Sequence, residues 1–450
     1  MLRRTLAVIM LLAGASLAGC VTPPADDVTT ANAVGNPADA LLAFTPLTLI
    51  DEVRAGGEPV ITVTPSGAIL VSAHPGGTHT RYPPSPNLVA PLSGQSYLWR
   101  SEDNGATWTP IGLPVEAAGG AGPRGVGQGV SDPDFAVDAN GRIYLTDLEA
   151  LAAASVSWSD DDGKTWIMGN DLASTYGPVD RQWLAAHGTD VYFMGNYFVD
   201  ERVLKSSDGG LTWSQVGSSP CSQDLIAHDY PDGTFALVVG CPTGIAVSTD
   251  DGATFERHDI EGASSWARAM TEPAVDAAGN TYITWANEEG VWLGVTPDRG
   301  ATWREPIRVS APLDASFETA GSHIWPWVVA GDAGRAAVVW FGIDDADGPG
   351  KAKGDWFVYQ ATVTGAASDS PEVFTVQATD SPVFQNRFCQ SGTTCQADPD
   401  AETGDRRMGD FFEAAVDAEG YVHIAFSVAL DDSISHPGYV RQMAGPRLYE

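Results

Sequence analysis

Long hydrophobic runs and basic residues are both scarce in this chain of 450 residues. After residue 20, no apolar stretch reaches the roughly 18 residues that a membrane-spanning helix needs, so we predict no membrane span there. Lysine and arginine total 24 against 58 aspartates and glutamates, which gives a formal net charge of −34. A field of this sign repels the phosphates of nucleic acid and of anionic lipid surfaces, so we exclude nucleic-acid binding.

Recognisable catalytic and cofactor motifs are also missing. The chain has no phosphate-binding loop, no nucleophile–base motif and no metal-ligand tetrad, and its eight histidines are scattered. No long helix is predicted, and we expect that no metal or other cofactor is required. Any function must therefore come from the way in which repeated elements bring ordinary side chains together.

The N-terminus has the features of an export signal. Arg3 and Arg4 precede an apolar run from Leu6 to Leu12, and the sequence Leu-Ala-Gly-Cys20 follows. This ending resembles a bacterial lipobox, which implies a signal peptide over residues 1–19 and a lipidated Cys20. Residues 20–40 are small, polar and proline-containing, as in a flexible tether, and 41–450 form the folded part. We predict a protein that is exported and lipid-anchored to the cell envelope or surface.

The four remaining cysteines fall into two local pairs. An exported chain lies in a compartment that permits disulfides, so we predict the bonds Cys221–Cys241 and Cys389–Cys395. Zinc binding is the alternative, but neither pair has the spacing of a metal site or nearby histidines.

Five segments share the pattern Ser/Thr-x-Asp-x-Gly-x-Thr-Trp/Phe, which we call the Asp box. They cover residues 101–108, 159–166, 206–213, 248–255 and 296–303, and their aspartates are Asp103, Asp161, Asp208, Asp250 and Asp298. The boxes begin 58, 47, 42 and 48 residues apart. Five copies at such spacings predict a repeat architecture.

The chemistry of the Asp box predicts a hairpin turn. The aspartate can accept hydrogen bonds from backbone N–H groups a few residues ahead, and the glycine supplies a positive φ. We therefore interpret the boxes as structural, with calcium binding at Asp160–Asp162 and Asp250–Asp251 as the alternative.

A second repeated element, strand–turn–strand with a glycine in the turn, occurs seven times; five copies are followed by an Asp box. Each unit supplies four strands over roughly 40–50 residues, the size of a propeller blade. The predicted fold is an all-β propeller of seven four-stranded blades, or six if one copy is misread. The last unit lacks an outer strand, and the alternating residues 44–50 can close the ring.

These boxes resemble those of sialidases and of the wider group of Asp-box propellers, over about residues 45–440. The resemblance implies that the boxes lie on the face opposite the ligand site. Sialidases also have six blades and an Arg-Ile-Pro motif on the first inner strand, where this chain has Gly57-Glu58-Pro59-Val60. If the chain is an enzyme, the resemblance implies a sialidase-like glycoside hydrolase that has lost this arginine.

Carboxylates recur where the inner strands begin. Alignment of the turn glycines brings Asp134, Glu272 and Glu413 to one equivalent position, and we predict these three as catalytic groups, since glycoside hydrolysis needs two carboxyls. Cation binding is a second use for such a ring. The alternative is that the acids cap strand ends and bind water.

Other side chains near the same strand ends could contact substrate. Carboxylates and arginines would bind sugar hydroxyls or a sugar carboxylate, and a tryptophan could stack on a sugar ring. Equally, the arginines could pair with neighbouring acids, and the tryptophan could fill a blade interface. The predicted substrate-binding residues are Glu58, Asp132, Asp180, Arg181, Arg268, Trp325, Arg406 and Arg407, with Asp224 nearby.

The segment from Asp380 to Asp410 is long and contains the predicted Cys389–Cys395 bond. Long loops in compact repeats are usually functional or disordered, and we expect this one to overhang the channel. Its alternating acids from Asp398 to Asp405 are a further candidate for calcium.

Two functions fit the sequence. One is an envelope-anchored, sialidase-like propeller that binds extracellular glycans and would cleave them if it is catalytic. The other is a non-catalytic propeller that scaffolds another envelope protein. In both cases we expect a monomer that contacts the membrane only through its lipid anchor.

Overall fold

Seven antiparallel sheets are arranged around a central channel. The computed structural model describes residues 29–30, 41–52, 56–74, 96–111, 131–149, 153–172, 176–266, 270–310, 321–392, 395, 404–430 and 435–450. The described residues form thirty β-strands and one 3-10 turn at Arg406–Met408. The fold is a seven-bladed β-propeller of four-stranded blades, which confirms the predicted fold class and the larger of the two blade counts.

The first six blades each use four consecutive strands. Three short strands precede them: β1 (Thr29–Thr30), β2 (Ala43–Phe44) and β3 (Thr48–Leu49). Blade 1 contains β4 (Gly57–Val63), β5 (Ile69–His74), β6 (Tyr97–Ser101) and β7 (Thr109–Pro110). Blade 2 contains β8 (Ser131–Val137), β9 (Ile143–Glu149), β10 (Ala153–Ser159) and β11 (Ile167–Asp171). Blade 3 contains β12 (Asp180–His187), β13 (Asp190–Asn196), β14 (Glu201–Ser206) and β15 (Ser214–Ser219).

The next three blades repeat this order. Blade 4 contains β16 (Leu225–Asp229), β17 (Phe235–Cys241), β18 (Gly244–Ser248) and β19 (Glu256–Asp259). Blade 5 contains β20 (Ala274–Val275), β21 (Thr281–Asn287), β22 (Gly290–Thr296) and β23 (Ile307–Arg308). Blade 6 contains β24 (Ser322–Ala330), β25 (Ala336–Ile343), β26 (Phe357–Thr364) and β27 (Glu372–Gln377). In every blade the first strand lies innermost.

Blade 7 closes the ring with strands from both ends of the folded part. It contains β28 (Glu413–Val416), β29 (Val422–Val428) and β30 (His436–Ala444), and β2 and β3 both pair with β30. The predicted closure by residues 44–50 is confirmed. Closure leaves no open sheet edge at the junction of the ring. The two-residue β1, within the segment predicted as a tether, pairs with β2.

The core lies between neighbouring blades. The strand β25 is buried along its whole length and consists mostly of apolar residues, as expected for a strand covered on both faces. Between blades 5 and 6, Tyr282 and Leu293 pack with Val338 and Trp340. Because each blade covers the next one, the rigid ring fixes the positions of the inner strands.

All five Asp boxes lie in the turns between the third and fourth strands of blades 1–5. In the first box, Asp103 accepts hydrogen bonds from the Thr107 backbone N–H and the Thr107 hydroxyl, while the Gly105 N–H donates to Ser101 Oγ. The other four boxes repeat these bonds. The side chains of each box therefore stabilise their own turn by hydrogen bonds, as predicted.

The two predicted disulfides, Cys221–Cys241 and Cys389–Cys395, are both present, with Cα separations of 5.2 and 6.0 Å. Two disulfides fit an exported protein. In the part of the chain that the structure describes, no helix is long and apolar enough to cross a membrane. The predicted signal peptide and Cys20 lie outside the described residues.

Candidate functional site

Four inner strands begin with the same backbone distortion. Glu58, Asp132, Arg181 and Trp325 have φ angles of 49°, 51°, 52° and 52°. Each stands at a register shift against the second strand of its blade. A bulge of this kind re-aims a side chain, and a non-glycine residue at positive φ stores strain of about 1–3 kcal/mol. These four residues lie at the end of the channel where the inner strands begin, which we call the mouth. The distortion determines the direction of their side chains there.

Alternating charges connect blade 1, blade 3 and the segment that precedes blade 7 at the mouth. His74 Nε2 lies 3.1 Å from Glu58, Arg406 binds Glu58 and Asp410 at 3.2 and 2.8 Å, and Arg181 binds Asp410 at 2.8 Å. Burial alone would raise the pKa of Glu58, but the His74 imidazole and the Arg406 guanidinium hold that pKa well below its usual value. The network fixes these side chains to one another.

Several predicted substrate-binding residues are enclosed by the protein. The Glu58 and Arg406 side chains are buried in the mouth network, and Asp132 is buried as well. Arg407 pairs with the buried Asp405. The Trp325 ring packs edge-on against Phe388, with a centroid separation of 4.8 Å. Arg268 lies outside the described residues. Of the predicted set, Asp180 and Arg181 are the described residues that remain partly exposed.

The partly exposed residues of the mouth gather on blade 3. Asp180 pairs with Asn196 on the next strand, and Asn196 pairs with Glu201 on the third. Directly paired residues of an antiparallel sheet present their side chains on the same face, so these three side chains form a row beside Arg181. We call this row, with Arg181 and Phe198, the blade 3 rim.

Two carboxyls of the blade 3 rim have raised pKa values. Burial is the main cause for Glu201, and although Arg181 opposes it, Asp180 and Asp200 add repulsion, so that its pKa rises to about 7. Burial also raises the pKa of Asp180. A carboxyl that titrates near neutral pH can donate a proton as well as accept one. No spacing pattern in the sequence indicates Glu201, because strand register alone brings it beside Asp180.

An apolar tip stands next to this row. Phe198 and Val199, in the connection between β13 and β14, are 61% and 85% exposed. Phe198 has a φ of 68°, and its N–H donates to Asn196 Oδ1 at 2.7 Å. The connection thus holds an aromatic ring in solvent within three residues of Glu201.

A second group of acids lies deeper in the channel. One carboxylate oxygen from each of Asp134, Asp224 and Glu413 lies within 4.8 Å of the other two, and all three residues are buried. Glu272 is partly buried and lines the same cavity. We call these four residues the channel acids. Three of them are the predicted catalytic residues, and the structure brings those three together.

Backbone N–H groups hold three of the channel acids in place. Asp134 accepts from Phe135 and Leu184 at 2.6 Å each. Asp224 accepts from Leu225 at 2.6 Å, and Glu413 Oε2 accepts from Ile61 at 3.1 Å. The bonds to Leu184 and Ile61 cross from one blade to the next, so these carboxyls also connect blades.

The channel acids favour the protonated state. Burial raises the pKa of Asp134 and of Glu272 to about 8, and Asp134 adds repulsion at Glu272. Burial and repulsion by the other acids raise the pKa values of Asp224 and Glu413 well above normal. Among the described residues, no arginine, lysine or histidine forms an ion pair with any of the four. The group can therefore share protons or take up a cation.

The channel acids face a cavity of about 420 Å³. Its lining runs from these acids to Val63, Ala330 and Val416, which end the inner strands of blades 1, 6 and 7. Residues of the mouth network are not part of that lining. The cavity thus extends from the acids toward the end of the channel where the inner strands finish, and the mouth and the channel acids form two separate layers.

This geometry bears on what the channel acids can do. The paired carboxyls of glycoside hydrolases stand about 5–10 Å apart around an open substrate site, whereas Asp134, Asp224 and Glu413 are buried and closer together. Their catalytic role stays a prediction. Asp224 stands nine residues before its turn glycine, Gly233, whereas Asp134 stands seven before Gly141, which is why the glycine alignment missed Asp224.

No family model matches the chain, and no curated protein sequence does. Solved structures show distant similarity. YCF48 bound to D1 peptide is 10% identical, with 94% of this chain and 99% of that one covered and a TM-score of 0.47. The intramolecular trans-sialidase from Ruminococcus gnavus is 12% identical, with 91% and 98% covered and a TM-score of 0.41. The six-bladed Aleuria aurantia lectin is 13% identical, with 74% and 99% covered and a TM-score of 0.38. None of these similarities assigns an activity to this chain.

Proposed function

We propose that the protein binds a neutral extracellular glycan at the blade 3 rim. The observation that carries the proposal is the row Asp180–Asn196–Glu201 beside the exposed Phe198. Carboxyl and amide groups can accept hydrogen bonds from sugar hydroxyls, and an aromatic face can cover the apolar side of a sugar ring. The rim combines both on the rigid strands of one blade.

The charge of the rim argues for a neutral sugar. Arg181 is already bound to Asp410, and the carboxyls of Asp180 and Glu201 also lie near its guanidinium. An acidic sugar such as a sialic acid would bring a further negative charge into this field. We therefore expect neutral glycans to bind better than sialylated ones.

A glycan array probed with the purified protein tests this proposal. We expect binding to neutral glycans, weakened at least tenfold by Asp180→Ala and by Phe198→Ala. Leu211→Ala is the matched control for Phe198→Ala, because Leu211 is 49% exposed in the Asp-box turn of the same blade. A preference for sialylated glycans, or neutral-glycan binding that Phe198→Ala leaves unchanged, would contradict the proposal. The absence of any glycan binding would favour the protein-scaffold alternative.

Catalysis is tested separately with chromogenic glycosides that include a sialoside. If the chain is a hydrolase that uses the channel acids, the Asp134→Asn, Glu272→Gln and Glu413→Gln variants lose activity. Hydrolysis that survives all three substitutions together would remove these residues from the catalytic prediction. Loss of hydrolysis in Glu201→Gln alone would instead place the proton donor at the rim.

A further inference from the structure

The oxygen atoms of the channel acids have the spacing of a metal site. Calcium binds oxygen ligands at about 2.3–2.6 Å, so two ligands on opposite sides of one ion stand about 5 Å apart. One oxygen from each of Asp134, Asp224 and Glu413 lies within 4.8 Å of the others. A single ion can therefore contact all three.

One Glu413 oxygen has no hydrogen-bond partner in the described part of the chain. Glu413 is 4% exposed, and its Oε1 is buried without a hydrogen-bond partner among the described residues, whereas Oε2 accepts from Ile61. A buried acceptor without a donor costs about 1–3 kcal/mol. It is thus an unsatisfied ligand atom on a side chain that the Ile61 N–H holds in the cluster.

The remaining ligands are positioned in advance. Asp134 and Asp224 are each held by backbone N–H groups at 2.6 Å. They come from the inner strand of blade 2 and the residue that precedes the inner strand of blade 4, while Glu413 begins the inner strand of blade 7. Such an ion would join three blades at the centre of the ring.

From these observations we infer that Asp134, Asp224 and Glu413 bind a divalent cation of the calcium class. Carboxylate oxygens select hard cations, and the cluster has no cysteine or histidine that would favour zinc or copper. Glu272 adds a fourth carboxyl beside the site, and the adjoining cavity of about 420 Å³ has room for the water ligands that complete the coordination. The site lies apart from the blade 3 rim, so it does not depend on glycan binding.

Titration of the full-length purified protein with Ca²⁺, after treatment with a chelator, tests the inference. Isothermal calorimetry should show one tight site per chain, and saturating Ca²⁺ should raise the melting temperature by about 5 °C or more. Glu413→Gln and Asp224→Asn should each weaken Ca²⁺ binding at least tenfold. Glu413→Gln keeps an acceptor for the Ile61 N–H, so it should fold, which circular dichroism checks.

Two control variants separate this site from other acids. Asp369→Asn removes a fully exposed carboxylate, and Asp161→Asn removes one from an Asp box; both should leave the affinity unchanged. Failure of the wild-type protein to bind Ca²⁺ at millimolar concentration would overturn the inference. Unchanged affinity in the Glu413→Gln, Asp224→Asn double variant would do the same, and a loss confined to Asp161→Asn would move the site to the Asp box.

Discussion

The Asp-box turns and the channel acids place the same functional group in opposite electrostatic surroundings. In an Asp-box turn the carboxylate is surrounded by donors, and the Thr212 hydroxyl and backbone N–H lower the pKa of Asp208. In the channel, burial and neighbouring carboxyls raise the pKa of Asp224 and Glu413. The Asp-box turns supply the hydrogen-bond donors for their carboxylate within eight residues of chain. Among the residues that the structure describes, none forms a compensating ion pair with the channel acids.

This difference indicates which acids belong to the architecture. An aspartate that is satisfied by its own turn has little capacity left for a ligand. A buried carboxyl such as Glu413, whose Oε1 has no partner among the residues that the structure covers, can gain by binding a proton or a cation. The more conspicuous motif in the sequence is therefore structural, and the less conspicuous acids are the candidates for function.

The largest effect is expected at a box glycine. Gly105 has a φ of +83°, and a Cβ there would lie 2.0 Å from a ring carbon of Tyr439 in blade 7. We expect Gly105→Ala to lower the free energy of unfolding by about 3 kcal/mol or more, measured by urea denaturation. Gly67→Ala is the control, since Gly67 has a φ of +86° but nothing within 4 Å of a Cβ; it should cost about 1–2 kcal/mol. Equal costs would show that the contact with blade 7 is unimportant.

The next largest effect is expected among the channel acids. Asp134 accepts one backbone N–H on each carboxyl oxygen. At pH 5 with a chelator present, so that neither repulsion nor a bound ion contributes, Asp134→Ala should cost about 2 kcal/mol for two lost acceptors. Asp134→Asn, which keeps one acceptor, should cost about half as much. If denaturant melts gave the two variants the same stability, the hydrogen bond that Asp134→Asn retains would not be stabilising.

Much of the fold could be predicted from the sequence because its determinants are local. Turn glycines and Asp boxes recur with each blade, the two disulfides join cysteines close in sequence, and the alternation of residues 44–50 identified the closing strand. The same glycine alignment placed Asp134, Glu272 and Glu413 together, because equivalent positions of a propeller meet around its axis.

The rest depends on contacts that no local pattern encodes. Glu201 reaches Asp180 through the register of three strands. Trp325 has the sequence position of a mouth residue, but its ring packs against Phe388, 63 residues later in the chain. Arg407 lies beside Arg406, yet it pairs with Asp405 rather than with the mouth network. Burial decides whether a polar side chain can contact a ligand. At these positions it could not be predicted from the sequence.

A smaller effect is expected from an Asp-box aspartate. Asp161 accepts from the Thr165 backbone N–H at 2.8 Å and from the Thr165 hydroxyl at 2.6 Å. The turn is exposed, so Asp161→Ala should cost about 1 kcal/mol. Although burial opposes it, hydrogen bonding by Thr165 lowers the pKa of Asp161. Its contribution is therefore present above the unfolded pKa of about 3.8 and is lost as the pH falls through the lower folded value. Melts at pH 3 and pH 6 should show a smaller difference between variant and wild type at pH 3.

An effect with the opposite sign is expected at Glu201. Its folded pKa is about 7, raised mainly by burial, with Arg181 opposing and with Asp180 and Asp200 adding repulsion. The stability associated with its protonated form is fully present below the unfolded pKa and is lost as the pH rises through about 7. Glu201→Gln stays neutral, so its stability relative to the wild type should increase between pH 5 and pH 8, as measured by urea melts at both values. Asp161 loses its contribution on acidification and Glu201 on alkalinisation. The stability of each variant relative to the wild type should therefore change with pH in opposite directions, and a change in the same direction for both would remove the distinction between the turns and the mouth.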